Sequence, residues 1–510
     1  MLFINKSQIT SPKTLSWIII IYAIAVRFVQ YIANRSLWAD ESVLALNIVD
    51  RNYLELLEPL DYNQGAPIGF LWVEKLAIQL LGNNEYALRL FPFICGIASI
   101  FLFYDLAKRS LNHYGVPMAL AFFATLEYLV YYTTELKQYS SDVAVALILA
   151  WLTQDLLKRD LNFKNTAIYS IIGAVIIWFS HPAVLVAGGF ALFSLIKLWR
   201  NRDFQRLPKL ITVFAVWGIS FLGFYFLSIQ SLSNNETLME SWRSAFPSEL
   251  TDINWLAEKW WKLFENPLGF SENYYIIAAN VFFFIGVFSL FRRNPSILAF
   301  LTSPLLATIL AAYLRQYPFR NRLLLFLTPF IILLIAEGLH YLRNTDSRKF
   351  IEFKHIGTVF FILLIIQPLF QTTALFVNPI TREEIRPVIA YVKEHQQPGD
   401  VLYIFQRGEY QFQYYAEKFG YEEGDYIVGV DDLEDGKEVS PPEWERYTQD
   451  LNALQGNPRV WLIFSHIDDV EEERDRVLGY IDSLGQKRDR YDAPGAFALL
   501  YDFTANDETP

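Results

Sequence analysis

The feature that most constrains this chain is repetition of apolar runs, each near the roughly 20 residues that carry an α-helix across a bilayer's hydrocarbon core. They lie at about 15–33, 86–106, 117–132, 141–157, 166–180, 183–199, 210–229, 275–291, 296–313, 323–341 and 356–376. In lipid every backbone N–H and C=O needs a partner within the protein, which makes each run a helix. The chain therefore reads as a polytopic α-helical membrane protein with about eleven transmembrane helices. The first run follows Lys6 and Lys13 and is longer than the apolar stretch of a signal peptide, so it reads as a retained signal-anchor.

Beyond the last run the character changes. From Val377 onward there are 29 Asp and Glu against 13 Lys and Arg, a net charge of −16, while the residues upstream carry +5. An acidic tail of this kind argues against nucleic acid as its partner. The stretches TREEIRPVIAYVKEH, 409–418, 443–454 and 470–483 have helical patterning and alternate with strand-like VLYIF, RVWLIFS and AFALLYDF. That alternation predicts a small soluble α/β domain over 377–510. Residues 1–376, with long loops at 34–85 and 230–274, form the expected membrane domain. His466, Asp468 and Asp469 end one strand and read more readily as a solvated loop than as a site. Cys95 is the sole cysteine, so no intrachain disulfide can form.

Orientation follows from Lys and Arg placement. Lys108-Arg109, Lys158-Arg159, the stretch Lys197 to Lys209, Arg292-Arg293 and Arg343 to Lys354 all fall in alternate loops. Those loops are expected inside, with the N-terminus cytoplasmic and the acidic domain outside the plasma (inner) membrane. The outer loop 34–85 opens SLWADES, followed by Leu46, Val49, Tyr53, Leu56 and Leu57 at helical spacing, which predicts an amphipathic interfacial helix. APIGFLWVEKLAIQLLG, interrupted by Glu74 and Lys75, reads as a second interfacial or re-entrant helix. Four Trp in 230–274 suit a segment resting on the bilayer surface.

Polar clusters gather on this outer face: Asp40-Glu41; Glu135, Lys137, Tyr139 and Asp142; His181-Pro182; and Arg315, Arg320 and Arg322. Carboxylates and cations held at a water–lipid boundary suit an anionic lipid head group and a proton transfer. Taken singly, each has a plainer role. Asp40 or Ser42 equally suits a helix cap, Glu135 and Lys137 a solvated pair, His181 a turn, and the arginines phospholipid anchors. Arg27 and Glu127 lie within spans, where charges usually face the bundle interior or a cavity.

At these residues the chain resembles the GT-C glycosyltransferases, in the branch that holds protein O-mannosyltransferases and aminoarabinose transferases acting on lipid A. The resemblance rests on Arg27, LWADE, Gln64-Gly65-Ala66-Pro67, NEYALRLFPFICG, ELKQYSSD and YPFRNRLLLFLTP, and covers most of 15–345. It implies an inverting transfer of a sugar from a polyprenyl-phosphate donor to a lipid, glycan or protein acceptor at the outer membrane face. It makes Asp40 the catalytic carboxylate with Glu41 beside it, Glu135 the second-loop carboxylate, and Arg320 or Arg322 the phosphate contact. Arg27, Gln64, Lys137, Tyr139 and His181 join as expected substrate-binding residues. Where some relatives carry a His or Glu before the proline, this chain has Asn63-Gln64-Gly65-Ala66, so no metal site or required cofactor is expected. A membrane transporter or lipid flippase is the rival reading, and it predicts polar groups or broken helices near the bilayer midplane.

Overall fold

The computed structural model describes residues 11–344, 356–430, 439–467 and 470–504. Asp468 and Asp469, most of the polar loop after residue 430, Lys6 and the basic stretch before Ile356 lie outside the described residues. Contacts divide the chain into two units: Met1–Ala33 with Arg51–Pro379, and Asn34–Asp50 with Ile380–Pro510. The first division expected from sequence left residues 34–50 with the membrane helices. By contact they group with the tail.

In the first unit, nine helices among the described residues are long and apolar enough to cross a membrane. They are Pro12–Ile32, Glu85–Ser110, Tyr139–Lys158, Ala183–Arg200, Leu207–Ser233, Asn273–Arg293, Pro295–Tyr313, Asn321–Arg343 and Ile356–Ala374. A bent pair brings the number to ten, and Phe163–Phe179 is a shorter apolar helix. Each of the eleven expected runs is thus helical, while nine or ten meet the length and composition of a span. The protein is an integral membrane protein.

Two features shape the bundle. Asn273–Arg293 and Thr328–Asn344 touch backbone to backbone: a Cβ on Gly286 would lie 1.9 Å from the Leu334 carbonyl oxygen, and one on Gly338 1.9 Å from that of Phe282. Small residues are what permit such an approach between membrane helices. The expected run 117–132 is instead two helices, Gly115–Thr125 and Glu127–Thr134, meeting at 69°. Leu126 between them is extended. Glu127 is exposed and opens the second half, where a carboxylate is favoured by the helix N-terminus. The charge read as facing the bundle interior marks a helix start.

The long loops 34–85 and 230–274 carry helices of their own. Ile68–Leu81 follows Pro67 as expected. Ile253–Glu265 buries Trp255, Lys259 and Leu263, spaced one turn apart on a single face.

The second unit is an α/β layer built on five strands: β1 Val401–Ile404, β2 Ile427–Val428, β3 Val460–Ser465, β4 Gln486–Ala493 and β5 Ala496–Asp502. Their order is β2-β1-β3-β5-β4. β1 runs parallel to β2 and β3, and β5 is antiparallel to β3 and β4. β3 is buried along its whole length, as a central strand covered on both faces must be, which explains why VWLIFS shows no polar alternation. The helix Ala39–Asp50 also belongs here and packs on the helix Glu409–Ala416. Glu41 through Ile48 are all buried, so it is not the one-sided interfacial helix expected from the spacing of Leu46, Val49 and Tyr53. A helix enclosed on all sides needs no amphipathic stripe.

Candidate functional site

In the membrane unit, the segment between the bent pair and Tyr139–Lys158 is a short connection rich in polar groups and almost free of solvent. Glu135 is 0% exposed, Lys137 5%, Tyr139 5% and Asp142 4%. Charged side chains are rarely buried so deeply without partners or purpose. Lys137 Nζ donates to Gln64 Oε1 at 2.7 Å, and Gln138 Nε2 to the Gly65 carbonyl at 3.2 Å. A Cβ on Gly65 would stand 2.6 Å from Leu232 Cδ2, so a larger residue there would have to displace that side chain. The Arg322 guanidinium lies 5.5 Å over the Tyr139 ring, and Tyr139 meets Tyr132 edge-on at 4.9 Å. Glu135 and Arg322 both act electrostatically on Tyr132, and Asp142 and Tyr139 on Tyr317. Five predicted residues (Gln64, Glu135, Lys137, Tyr139 and Arg322) therefore come from three stretches of chain into one polar neighbourhood, buried at Glu135, Lys137 and Tyr139 and partly exposed at Gln64 and Arg322.

The other predictions for this unit make different contacts, although Arg27 lines a small cavity with Tyr132 and Leu325. Arg27 spends its guanidinium on backbone: Nη1 donates to Ala23 O at 3.1 Å and Ala124 O at 3.4 Å, and Nη2 to Phe123 O at 3.0 Å and Leu129 O at 3.1 Å. Three of these carbonyls flank the break at Leu126, where a helix end in lipid would otherwise leave acceptors unsatisfied. The expected substrate ligand is engaged in mending the backbone. His181 stacks on Phe224 at 5.5 Å, with Nε2 3.2 Å from Ser228 Oγ. Burial lowers its pKa to about 4, so the ring is neutral at pH 7. Arg320 Nη1 donates to the Ser241 carbonyl at 3.1 Å. With Lys259, Lys262, Ser244 and Asn321 it lines a separate cavity of about 150 Å³. Arg320 and Arg322 thus make different contacts.

Two residues in this unit escaped the sequence reading. Lys259 is buried at 8% exposure beside Glu258, 3.2 Å away. Glu74, noted only as an interruption, is fully buried with no hydrogen-bond partner on either oxygen. Desolvation holds its pKa well above the usual carboxylate range.

Asp40 and Glu41 lie in the second unit, in the first turn of Ala39–Asp50. Glu41 is fully buried and Asp40 half-buried, so Asp40 is the more accessible carboxylate. The motif around them is held by the start of the tail. Ser36 N and Oγ donate to Glu384 Oε2 at 3.1 and 2.8 Å, Leu37 N donates to the Tyr415 hydroxyl at 2.9 Å, and Ala39 N donates to Glu383 Oε2 at 2.9 Å. Arg382 lies 4.4 Å over the Trp38 ring. His466, read as a solvated loop residue, has Nδ1 2.8 Å from Glu383 Oε1. No local pattern in the sequence signals this clamp, because its halves lie more than three hundred residues apart. Among the described residues, no three His, Cys, Asp or Glu side chains gather as metal ligands would.

The family model for dolichyl-phosphate-mannose-protein mannosyltransferases matches residues 65–224. Across the whole chain the structure resembles ArnT from Cupriavidus metallidurans bound to undecaprenyl phosphate, with a TM-score of 0.51 at 12% identity, covering 97% of this chain and 99% of that one. It resembles equally the archaeal oligosaccharyltransferase AglB from Archaeoglobus fulgidus, in complex with an inhibitory peptide and a dolichol-phosphate. There the TM-score is 0.52 at 10% identity, covering 98% of this chain and 75% of that one. The chain has the GT-C fold. No curated protein matches it in sequence. The family match contains Glu135, Lys137 and Tyr139, begins one residue after Gln64 and ends before Arg322.

Proposed function

We propose that this protein is an inverting glycosyltransferase that moves a sugar from a polyprenyl-phosphate donor to an acceptor hydroxyl at the outer face of the membrane. The observation that carries the reading is the convergence of Gln64, Glu135, Lys137, Tyr139 and Arg322 in a chain of GT-C fold. A cluster holding two cations and a carboxylate, with Glu135 and Lys137 buried and Arg322 partly open to solvent, suits a lipid-linked phosphate and its sugar.

The chemistry needs few parts. The acceptor oxygen attacks the anomeric carbon as the carbon–oxygen bond to phosphate breaks, and the electron pair leaves with the polyprenyl phosphate. A single displacement inverts the centre. Phosphate is a competent leaving group, so no acid has to protonate it, in contrast to a glycosidic oxygen. The acceptor proton goes to Asp40, the accessible carboxylate of the pair, acting as general base. Arg322 stabilises the charge growing on the departing phosphate, with Lys137 and Gln64 beside it. Glu135 orients the sugar. Arg320, with Lys259 and Lys262, belongs to the neighbouring cavity. In this reading no cofactor takes part, the donor arrives already activated, and the domain over 377–510 faces outward.

The test is release of undecaprenyl phosphate from undecaprenyl-phosphate-linked hexoses and pentoses by the purified protein in lipid vesicles, with Asp40→Asn as the comparison. Asn caps a helix about as well as Asp but takes no proton at neutral pH. Transfer is expected with at least one donor, and its collapse in a folded Asp40→Asn variant that still binds donor. Full activity in that variant moves the base elsewhere. Failure of the folded wild type to consume any donor, across both sugar classes, overturns the reading.

A further inference from the structure

An acidic motif at the start of one helix says nothing about what keeps its carboxylate in place. The contacts within the second unit do. The first backbone N–H groups of any helix lack intrahelical partners and are commonly met by a side chain just before the helix. Here the Ala39 N–H is met by Glu383, 344 positions along the chain. Glu383 is only 7% exposed and accepts from three donors: Ala39 N at 2.9 Å, Gln411 Nε2 at 2.6 Å and His466 Nδ1 at 2.8 Å. One carboxylate thus joins the residue beside Asp40 to an imidazole.

His466 is arranged for this contact. It follows β3 directly and has φ 57°, a left-handed conformation uncommon for a residue with a side chain and often found at functional positions. Its side chain keeps 37% of its surface exposed, so it is open on the face away from Glu383. The charged groups that act on it are Glu383, Asp40 and Arg407. Arg407 is itself held by Glu473 at 2.6 Å. Burial disfavours the imidazolium, but the hydrogen bond and charge of Glu383, with the charge of Asp40, outweigh it and raise the pKa above its ordinary value.

We propose that Glu383 and His466 are positioning residues for Asp40, so that the acidic tail domain supplies part of the apparatus that activates the acceptor. The proposal rests on Asp40 being the general base. Glu383 fixes the first turn that carries Asp40, and His466 balances the charge that a second carboxylate brings close to it. Without His466 the Glu383 carboxylate loses a donor and the turn loses its anchor. The domain is then a component of the transferase, which explains why the LWADE motif groups with it.

Two measurements test this in the full-length protein. The first is the titration of His466 by imidazole NMR of selectively labelled protein, and it does not depend on turnover. Neutralising either carboxylate removes a stabilising charge, so the His466 pKa falls in Glu383→Gln and also in Asp40→Asn. An unchanged pKa in Asp40→Asn severs the link and overturns the proposal, whatever the activity. The second is turnover of the undecaprenyl-phosphate-linked sugar that the wild type consumes fastest, in His466→Gln and Glu383→Gln. Misplacing a reacting group by about an ångström costs up to about 100-fold, so kcat is expected to fall by about 10- to 100-fold with KM for the donor unchanged. The pH–rate profile of His466→Gln loses the limb that tracks His466. A purely structural role predicts lower thermal stability with normal kcat and pH profile, and that result overturns the proposal. If Glu383→Gln fails to fold, His466→Gln decides alone, because its side chain is partly exposed. If Asp40→Asn is dead while both tail variants are normal, the base reading stands and this proposal falls. If Asp40→Asn is fully active, the base reading itself has failed.

Discussion

Arg27 offers a clean contest between a substrate ligand and a piece of internal scaffolding, and Arg27→Met decides it. The side chain is 0% exposed and makes four hydrogen bonds, all to backbone carbonyls. Ala23 O lies one turn back in its own helix. Phe123 O and Ala124 O sit at the end of Gly115–Thr125, and Leu129 O lies just past the break. Losing the guanidinium strands these three acceptors in a region that water reaches poorly. Each stranded buried acceptor costs about 1–3 kcal/mol, and the sum is reduced because an expensively buried cation is removed at the same time. A net loss of about 2–4 kcal/mol is expected. Arg27→Lys keeps the charge but cannot span carbonyls on both sides of the break, so it should recover only part of the loss. The assay is SDS-induced unfolding in mixed micelles, alongside binding of undecaprenyl phosphate to the surviving folded fraction. Destabilisation with donor affinity within about twofold supports scaffolding. A variant of wild-type stability that binds donor poorly would refute the reasoning and return Arg27 to the substrate.

Arg322→Gln should weaken undecaprenyl phosphate binding by about 1.5–3 kcal/mol, the worth of one charge-assisted bond, while Arg320→Gln should leave it nearly unchanged; equal losses measured by calorimetry would merge the two neighbourhoods. Gly286→Ala sets a methyl group against a backbone oxygen at 1.9 Å, and overpacking of this kind costs about 1–3 kcal/mol or more, visible as a lower unfolding midpoint. His181 carries a sign that pH reveals. Its folded pKa is about 4 against 6.5 when free, so the unfolded chain binds the extra proton between those values. Stability from this residue is therefore complete above pH 6.5 and lost as pH falls towards 4, by about 2–3 kcal/mol. His181→Asn should flatten that acid slope, and an unchanged slope would place its cause elsewhere.

What the sequence revealed and what it hid divide along one line, the distance between cause and effect. Hydropathy is a local property, so every expected apolar run is a helix, and tail strands such as VWLIFS were visible in the same way. The break at Leu126 was not, because no proline or glycine stands there. What stabilises it is Arg27, which reaches the Ala124 carbonyl 97 positions away. The polar neighbourhood was partly legible, since the expected alternation of spans assigns Gln64, Glu135, Lys137, Tyr139 and Arg322 to one face. Which arginine belonged to it was not. Arg320 is extended at φ −150° and a tight helix begins at Asn321, so two residues that are near neighbours in sequence leave the backbone in different directions.

The hardest case was Asp40, where the sequence supported capping and catalysis alike. The structure changes the terms of that contest. A cap is an acceptor for an otherwise unmet N–H at the start of a helix, and the Ala39 N–H is already met by Glu383. Asp40 stands one residue further in, half-exposed, with Glu41 beside it turned into the core. A carboxylate inside the first turn still gains from the helix dipole, but that gain is small, about 0.3–1 kcal/mol, and it falls as the group takes a proton. A base placed there sits in the same field that a cap would exploit. The two roles therefore differ only in what happens during turnover, and it is the proton, which Asn cannot accept, that tells them apart.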